Sequence, residues 1–242
     1  MEIPKNNYMF HVHTYRCKHA FDGISDEEVI ETAISLGKDS IYFTDHAPFP
    51  GNPFGNRMDM EQLPEYLSTL CELREKYRDR IDVHTGLEIE YFPSFDREGY
   101  YKELLDMDRL EFLVLGQHMA EIEPEVYTFS WDSARKNAEE YEALAEAEIA
   151  GIKTGYFDVV AHPDRLFKRC KQWTSDMDEL ADRIIEASAE RDIILEKNLS
   201  SMKRKRNYWT EFWDKVPDDA WIITGYDAHS IEDMSASVRG DF

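Results

Sequence analysis

The sequence predicts an α/β protein whose parallel strands close into a barrel. Seven short runs rich in β-branched and aromatic residues alternate with longer helical patterns, in strand, helix, strand order almost throughout. The 242 residues contain no repeat of 20 to 50 residues and no low-complexity linker, so one domain over residues 1–242 is expected. Seven βα-type units in a single domain suit a closed sheet with helices outside.

The strand runs are "YMFHVHT", "SIYFTDH", "IDVHTGLEIEY", "EFLVLGQH", "FDVVAHPD", "DIILEKN" and "WIITGYDAH". After the first, "SDEEVIETAISLG" places Ser25 as N-cap with Glu28 three residues on, and Gly37 stands where a C-terminal cap glycine belongs. Further helices are predicted over Glu61 to Tyr77, Asp96 to Asp106, Ser133 to Ile149 and Ser175 to Arg191, each with a charged face that reads as solvated. Ala47 to Met60, "APFPGNPFGNRMDM", is the longest irregular segment and follows a strand end, where a lid or an ordinary surface loop would both fit.

Composition narrows the function. A formal net charge of -22 repels a polyanion, which argues against nucleic acid as partner. A small phosphate ester stays open, because bound divalent cations reverse the field locally. No stretch approaches about 18 consecutive apolar residues and the N-terminus lacks a signal pattern, so no membrane partner is expected. Three cysteines, Cys17, Cys71 and Cys170, are odd in number and widely spaced, which suits a reducing cytoplasm better than a disulfide framework. Cys17 reads as a small buried thiol.

The histidines carry the chemistry. "HVHTYRCKHA" puts three of the eight into nine residues. His11 and His13 end the first strand run, His46 the second, His118 the fourth and His162 the fifth, while Asp227 and His229 end the seventh. The third contributes Glu88 or Glu90. C-terminal strand ends converge on one face of a barrel, so these residues are expected to share a pocket. In "HVH", "EIE" and "DAH" the polar residues stand at i and i+2, on one side of a strand, where burial is costly unless a metal satisfies them. His84, four residues before Glu88, reads as packed or supporting.

Taken in order, "HVHT", "FTDHA", "GLEIE", "LGQHM", "VVAHPD" and "TGYDAHS" resemble the polymerase-and-histidinol-phosphatase (PHP) family of metal-dependent phosphoesterases. "HVHTYRCKHA" and "EKNLSS" look most like its histidinol-phosphatase branch. The resemblance implies a distorted (β/α)7 barrel with a trinuclear centre. One ion would take His11, His13, Glu88 and Asp227; a second would share Glu88 and add His118 and His162; the third would take His19, His46 and His229. Glu90 would then support rather than ligate. Nine such ligands around three dications leave a local charge of about +4, a trap for phosphate in an acidic protein. Imidazole and carboxylate ligands without thiolate suit Zn, Mn or Fe.

The implied reaction is hydrolysis of L-histidinol phosphate to L-histidinol and phosphate, with a metal-bridging hydroxide attacking phosphorus and Glu88, Asp227 and His229 as the catalytic ligands. Arg165 in "HPDR" and the rim residues Lys203 and Arg204, in the basic run to Arg206, are the candidates to grip the phosphate. "GQHM", "EKNLSS" and a tail of 13 residues after His229 depart from the branch pattern, so the leaving group stays open. The alternatives are another small monoester, a phosphotyrosyl peptide or a nucleotide as substrate, a silent metal-binding scaffold, or an amidohydrolase-style site, which would have no counterpart of His19.

Overall fold

The computed structural model describes residues 7–203 and 207–236. Its barrel strands are β1 (Tyr8–Val12), β2 (Ser40–His46), β3 (Asp82–Ile89), β4 (Phe112–Leu115), β5 (Val159–Val160), β6 (Ile194–Asn198) and β7 (Ile222–Ala228). They close in sequence order, and the β1·β2, β2·β3, β4·β5, β5·β6 and β7·β1 pairs are parallel. The predicted (β/α)7 barrel is therefore the fold. The helices are α1 (Asp26–Ser35), α2 (Leu63–Tyr77), α3 (Pro93–Arg97), α4 (Tyr100–Leu105), α5 (Ser133–Thr154), α6 (Ser175–Glu190), α7 (Leu199–Lys203), α8 (Thr210–Trp213) and α9 (Ile231–Ala236). Among the described residues, no helix is long and apolar enough to cross a membrane.

Local chemistry explains the boundaries. Ser25 and Glu28 form the reciprocal capping box at the start of α1, and Gly37, just past its end, takes φ +74°. The helix predicted over Asp96 to Asp106 is instead two short ones, because Gly99 between them adopts φ +87°. The hairpin of Glu121–Glu123 with Val126–Tyr127 was not predicted; strands of three and two residues are too short to show a period.

Contacts group the chain into two compact units. The first holds the described parts of Met1–Glu88, Met107–Leu113 and Thr224–Phe242; the second holds Ile89–Asp106 and Val114–Ile223. In the first, Met9, Phe10, Val29, Ile30, Phe43, Tyr66 and Leu87 are wholly buried. Ala47 to Met60 folds on itself there: Phe49, Phe54 and Met58 are buried, and the Arg57 guanidinium lies over the Phe49 and Phe54 rings at 5.5 and 5.3 Å while donating to the Ala47 carbonyl at 3.2 Å. In the second unit, α5 packs against α6, Leu144, Ile152, Ala181 and Ile184 are buried, and Arg183 grips Glu146 bidentately at 2.6 and 2.8 Å.

Gly86 in β3 is a place where only glycine fits. A methyl group there would overlap the Phe112 ring, which is itself held against Phe10 and Tyr42 at centroid distances of 6.0 and 5.9 Å. Gly86→Ala should therefore lower stability by about 1–3 kcal/mol, the usual cost of overpacking. Urea unfolding checks this, and an unchanged midpoint would mean the ring yields freely.

Candidate metal centre

The first unit brings together seven of the nine expected ligands. β1 does not run as a plain pleated strand: its register slips between Phe10 and Val12 against both neighbours, and His11 takes φ +68°. The expectation that simple alternation aligns His11 and His13 is thus corrected. A bulge re-aims His11, and the two rings still meet at 5.1 Å. Asp227, at φ +51°, carries the same kind of strained backbone at the end of β7.

One carboxylate oxygen of Glu88 lies 3.2 Å from His11 Nε2, 3.6 Å from His13 Nε2 and 3.1 Å from His46 Nδ1. Asp227 Oδ1 lies 3.7 Å from His11 Nε2 and 3.4 Å from both His13 Nε2 and His229 Nδ1. Ligands about 2.1 Å from a tetrahedral ion stand about 3.4 Å apart, so this spacing is that of donors around cations. His13, His46 and His229, and separately His11, His13 and Asp227, offer ligand atoms within 4.8 Å of one another. The His19 ring lies 5.5 Å from that of His46 and 4.8 Å from that of His229.

The electrostatics suit metal. His13 Nε2 is buried between the carboxylates of Glu88 and Asp227, 3.6 and 3.4 Å away. Burial, reinforced by His229, pulls the His13 pKa down to about 3, so its imidazole is neutral and its lone pair available. Burial likewise lowers His19. The Nδ1 of His19 lies 2.7 Å from the Cys17 carbonyl and that of His229 lies 3.0 Å from the Asp227 carbonyl. A proton on each Nδ1 would leave Nε2 free to ligate.

A buried network holds this constellation. Asp45 accepts from the Thr14 amide and hydroxyl and, at 3.2 Å, from the Cys17 thiol; that sulfur accepts from the His46 amide at 3.2 Å and lies 3.4 Å from His13 Nδ1. Burial pushes the Asp45 pKa up to about 6 and the Cys17 thiol well above its ordinary value. Cys17 is the buried thiol expected. His84 stacks on Tyr42 at 4.2 Å and meets Glu111 at 2.9 Å through Nδ1, which makes it a packed histidine.

In the second unit, His118 and His162 have ring centroids 5.2 Å apart. Glu90, wholly buried, stands 3.3 Å from His118 Nδ1, where it can orient the ring and leave Nε2 to ligate. The His162 amide donates to Glu196 at 3.0 Å, and His162 takes φ +35°. Arg165 is tethered by the "EKNLSS" segment: Nη2 donates to Asn198 Oδ1 at 2.7 Å and Nε to Ser201 Oγ at 2.9 Å. Lys203 is exposed at the end of α7, and Arg204 lies outside the described residues.

A family model described as PHP domain matches residues 10–200. The chain belongs to the PHP family. PHP relatives include a "Probable histidinol-phosphatase" of Deinococcus radiodurans, 28% identical over 64% of this chain and 59% of its own, and a "Histidinol-phosphatase" of Bacillus subtilis, 33% identical over 36% and 35%. The chain thus spans about three fifths or less of the curated relatives' lengths. The PHP barrel also superposes on two solved structures, both 18% identical. One is a Listeria monocytogenes protein assigned to the histidinol phosphatases (TM-score 0.76, covering 96% of this chain and 98% of that one). The other is the Lactococcus lactis histidinol phosphate phosphatase in complex with Zn, L-histidinol and phosphate (TM-score 0.69, 96% and 92%).

Proposed function

We propose that this PHP protein is a phosphate-monoester hydrolase that converts L-histidinol phosphate to L-histidinol and phosphate with the help of three divalent ions. The observation that carries the reading is the packing of His11, His13, His46, Glu88, Asp227 and His229 at donor-to-donor distances of 3.1–3.7 Å around His13 and Glu88. Zinc and histidinol in the Lactococcus lactis complex support the choice of cofactor class and substrate. The nine ligands are those the family resemblance assigns, His118 and His162 included. Bound ions supply Lewis acidity, which makes water a competent nucleophile near neutral pH and offsets charge on the phosphoryl oxygens.

The chain's own groups do the rest. Glu88 faces three imidazoles and would help hold the ions when they are bound, and the carbonyls of Cys17 and Asp227 fix the tilt of His19 and His229. Arg165, held by Asn198 and Ser201, presents a preorganised cation for the phosphate. Arg165→Met should raise KM for the phosphate ester at least about tenfold with a smaller change in kcat, a loss of about 1.4 kcal/mol in binding. An unchanged KM would remove Arg165 from the substrate site.

The deciding experiment compares kcat/KM for L-histidinol phosphate with that for an aryl phosphate on enzyme stripped by chelator and reloaded with Mn, Zn or Fe. The expected result is no turnover when stripped, recovery on reloading and a preference for histidinol phosphate of at least about 100-fold, or about 2.7 kcal/mol. Turnover that survives complete stripping would overturn the metal assignment; equal use of both esters would overturn the substrate.

A further inference from the structure

A second site lies in the second unit, between the first turns of α5 and the loop that leads into α6. It is a cleft of about 910 Å³, within the range of roughly 300–1,000 Å³ typical of small-ligand pockets. Its wall carries Lys168, Arg169 and Lys171 beside the rings of Tyr141 and Trp209, and no carboxylate stands among its lining residues. In a chain with a net charge of -22, such a patch is against the grain of the surface.

The cations are not used up by the fold. Glu140, buried next to the cleft, pairs with Arg169 at 2.7 Å. Lys168 and Lys171 have no ion-pair partner among the described residues. Burial, then the nearby Arg165 charge, lowers the Lys168 pKa against the pull of Glu140, and a bound anion would favour its charged form. Asp132 caps the start of α5, taking hydrogen bonds from the Ala134 and Arg135 amides, so its negative charge balances the helix end and leaves the lysines as the unpaired charges.

The aromatic walls are held in place. Trp209 packs on Trp173 at 5.7 Å, and Tyr141 on Phe167 at 6.1 Å. Flat rings fixed beside unpaired ammonium groups recognise a ligand that has both a planar heterocycle and several negative charges. The ammonium of histidinol has the wrong sign for this cleft.

We infer that the cleft lined by Tyr141, Lys168, Arg169, Lys171 and Trp209 binds a nucleoside phosphate or a ligand of that chemical class, at a site separate from the metal centre. The inference does not depend on the substrate proposed above. Calorimetric titration of the metal-loaded protein with ADP tests it, with adenosine and inorganic phosphate as partial probes. ADP is expected to bind at micromolar Kd, more tightly than either partial probe and more weakly as salt rises. The Lys168→Met, Lys171→Met double variant should weaken ADP at least about tenfold while metal content stays that of the parent, and Tyr141→Leu should weaken ADP and adenosine alike. His13→Ala should bind ADP as the parent does. No heat with ADP up to millimolar concentration, unchanged affinity in the double variant, or loss of binding in His13→Ala would each overturn the assignment, the last by placing ADP at the metal centre.

Discussion

His13→Ala should lower kcat/KM at least about a thousandfold, or about 4 kcal/mol of transition-state stabilisation, while leaving the far-ultraviolet circular dichroism unchanged. His13 is the hub of the candidate centre: its ring lies 5.1 Å from that of His11, 4.6 Å from that of His46 and 4.2 Å from that of His229, and its Nε2 faces both Glu88 and Asp227. Its loss removes a neutral donor from between two buried carboxylates, which then repel each other with less cation to hold them. Asp227→Ala should match it, because Asp227 faces His11, His13 and His229 together. Metal content, measured on the purified variants, should fall with activity. A His13→Ala enzyme that keeps most of its turnover would sink the proposed centre, and one that keeps its metal but not its turnover would show that His13 acts on the reaction without being required for binding.

The grouping of these residues into one candidate centre was legible because strand ends are readable. His46 closes β2, Glu88 stands next to the end of β3, and Asp227 stands next to the end of β7, each at the end of an apolar run. What could not be read is how the backbone aims them. Alternation predicts that His11 and His13 share a face, and a two-residue pattern carries no mark of the bulge and the φ of +68° that place His11. Nor does spacing reveal pairings that cross elements. Glu90 at His118 Nδ1 joins residues 28 apart in the chain, and the thiol of Cys17 reaches the carboxylate of Asp45 from the neighbouring loop. Such partners are set by packing, for which a single sequence has no period to offer. Glu90 was separable from Glu88 only through the family pattern; both are buried, and what differs is the neighbour each faces, His118 Nδ1 for Glu90 and the imidazoles of His11, His13 and His46 for Glu88.

Arg16 is the residue for which reading one strand at a time fails most, and its replacement should cost the most stability. It is 1% exposed, yet carries a full charge. Nη1 donates to both oxygens of Asp26 at 2.9 and 2.8 Å and to Thr14 Oγ1 at 3.2 Å, while Nε and Nη2 grip Glu65 at 3.2 and 2.9 Å. Its guanidinium also lies over Tyr15 and Tyr66, at 4.5 and 5.6 Å. All three nitrogens of the planar fork are engaged, so Arg16→Lys should not rescue. In Arg16→Ala the two acids fare differently. Glu65 has a side chain 54% exposed and can return to water; Asp26 is 4% exposed and cannot. Stranding one buried carboxylate costs about 3–5 kcal/mol, and at about 2–4 °C per kcal/mol for a chain of this size, Tm should fall by roughly 6–20 °C. The pH dependence gives an independent check. Burial already raises the Asp26 pKa against the opposing pull of Arg16, and losing that pull raises it further. A carboxyl whose folded pKa exceeds its unfolded value binds its proton more tightly when folded, so it destabilises fully above the folded pKa, less and less as pH falls below it, and not at all below the unfolded pKa. The deficit of Arg16→Ala should therefore shrink on acidification, as pH falls through the raised Asp26 pKa toward the unfolded carboxyl value, and Arg16→Met with Asp26→Leu should recover most of the lost Tm at every pH. A single variant that melts within about 2 °C of the parent, or a deficit that grows on acidification, would show that the Asp26 charge is not what Arg16 holds in place.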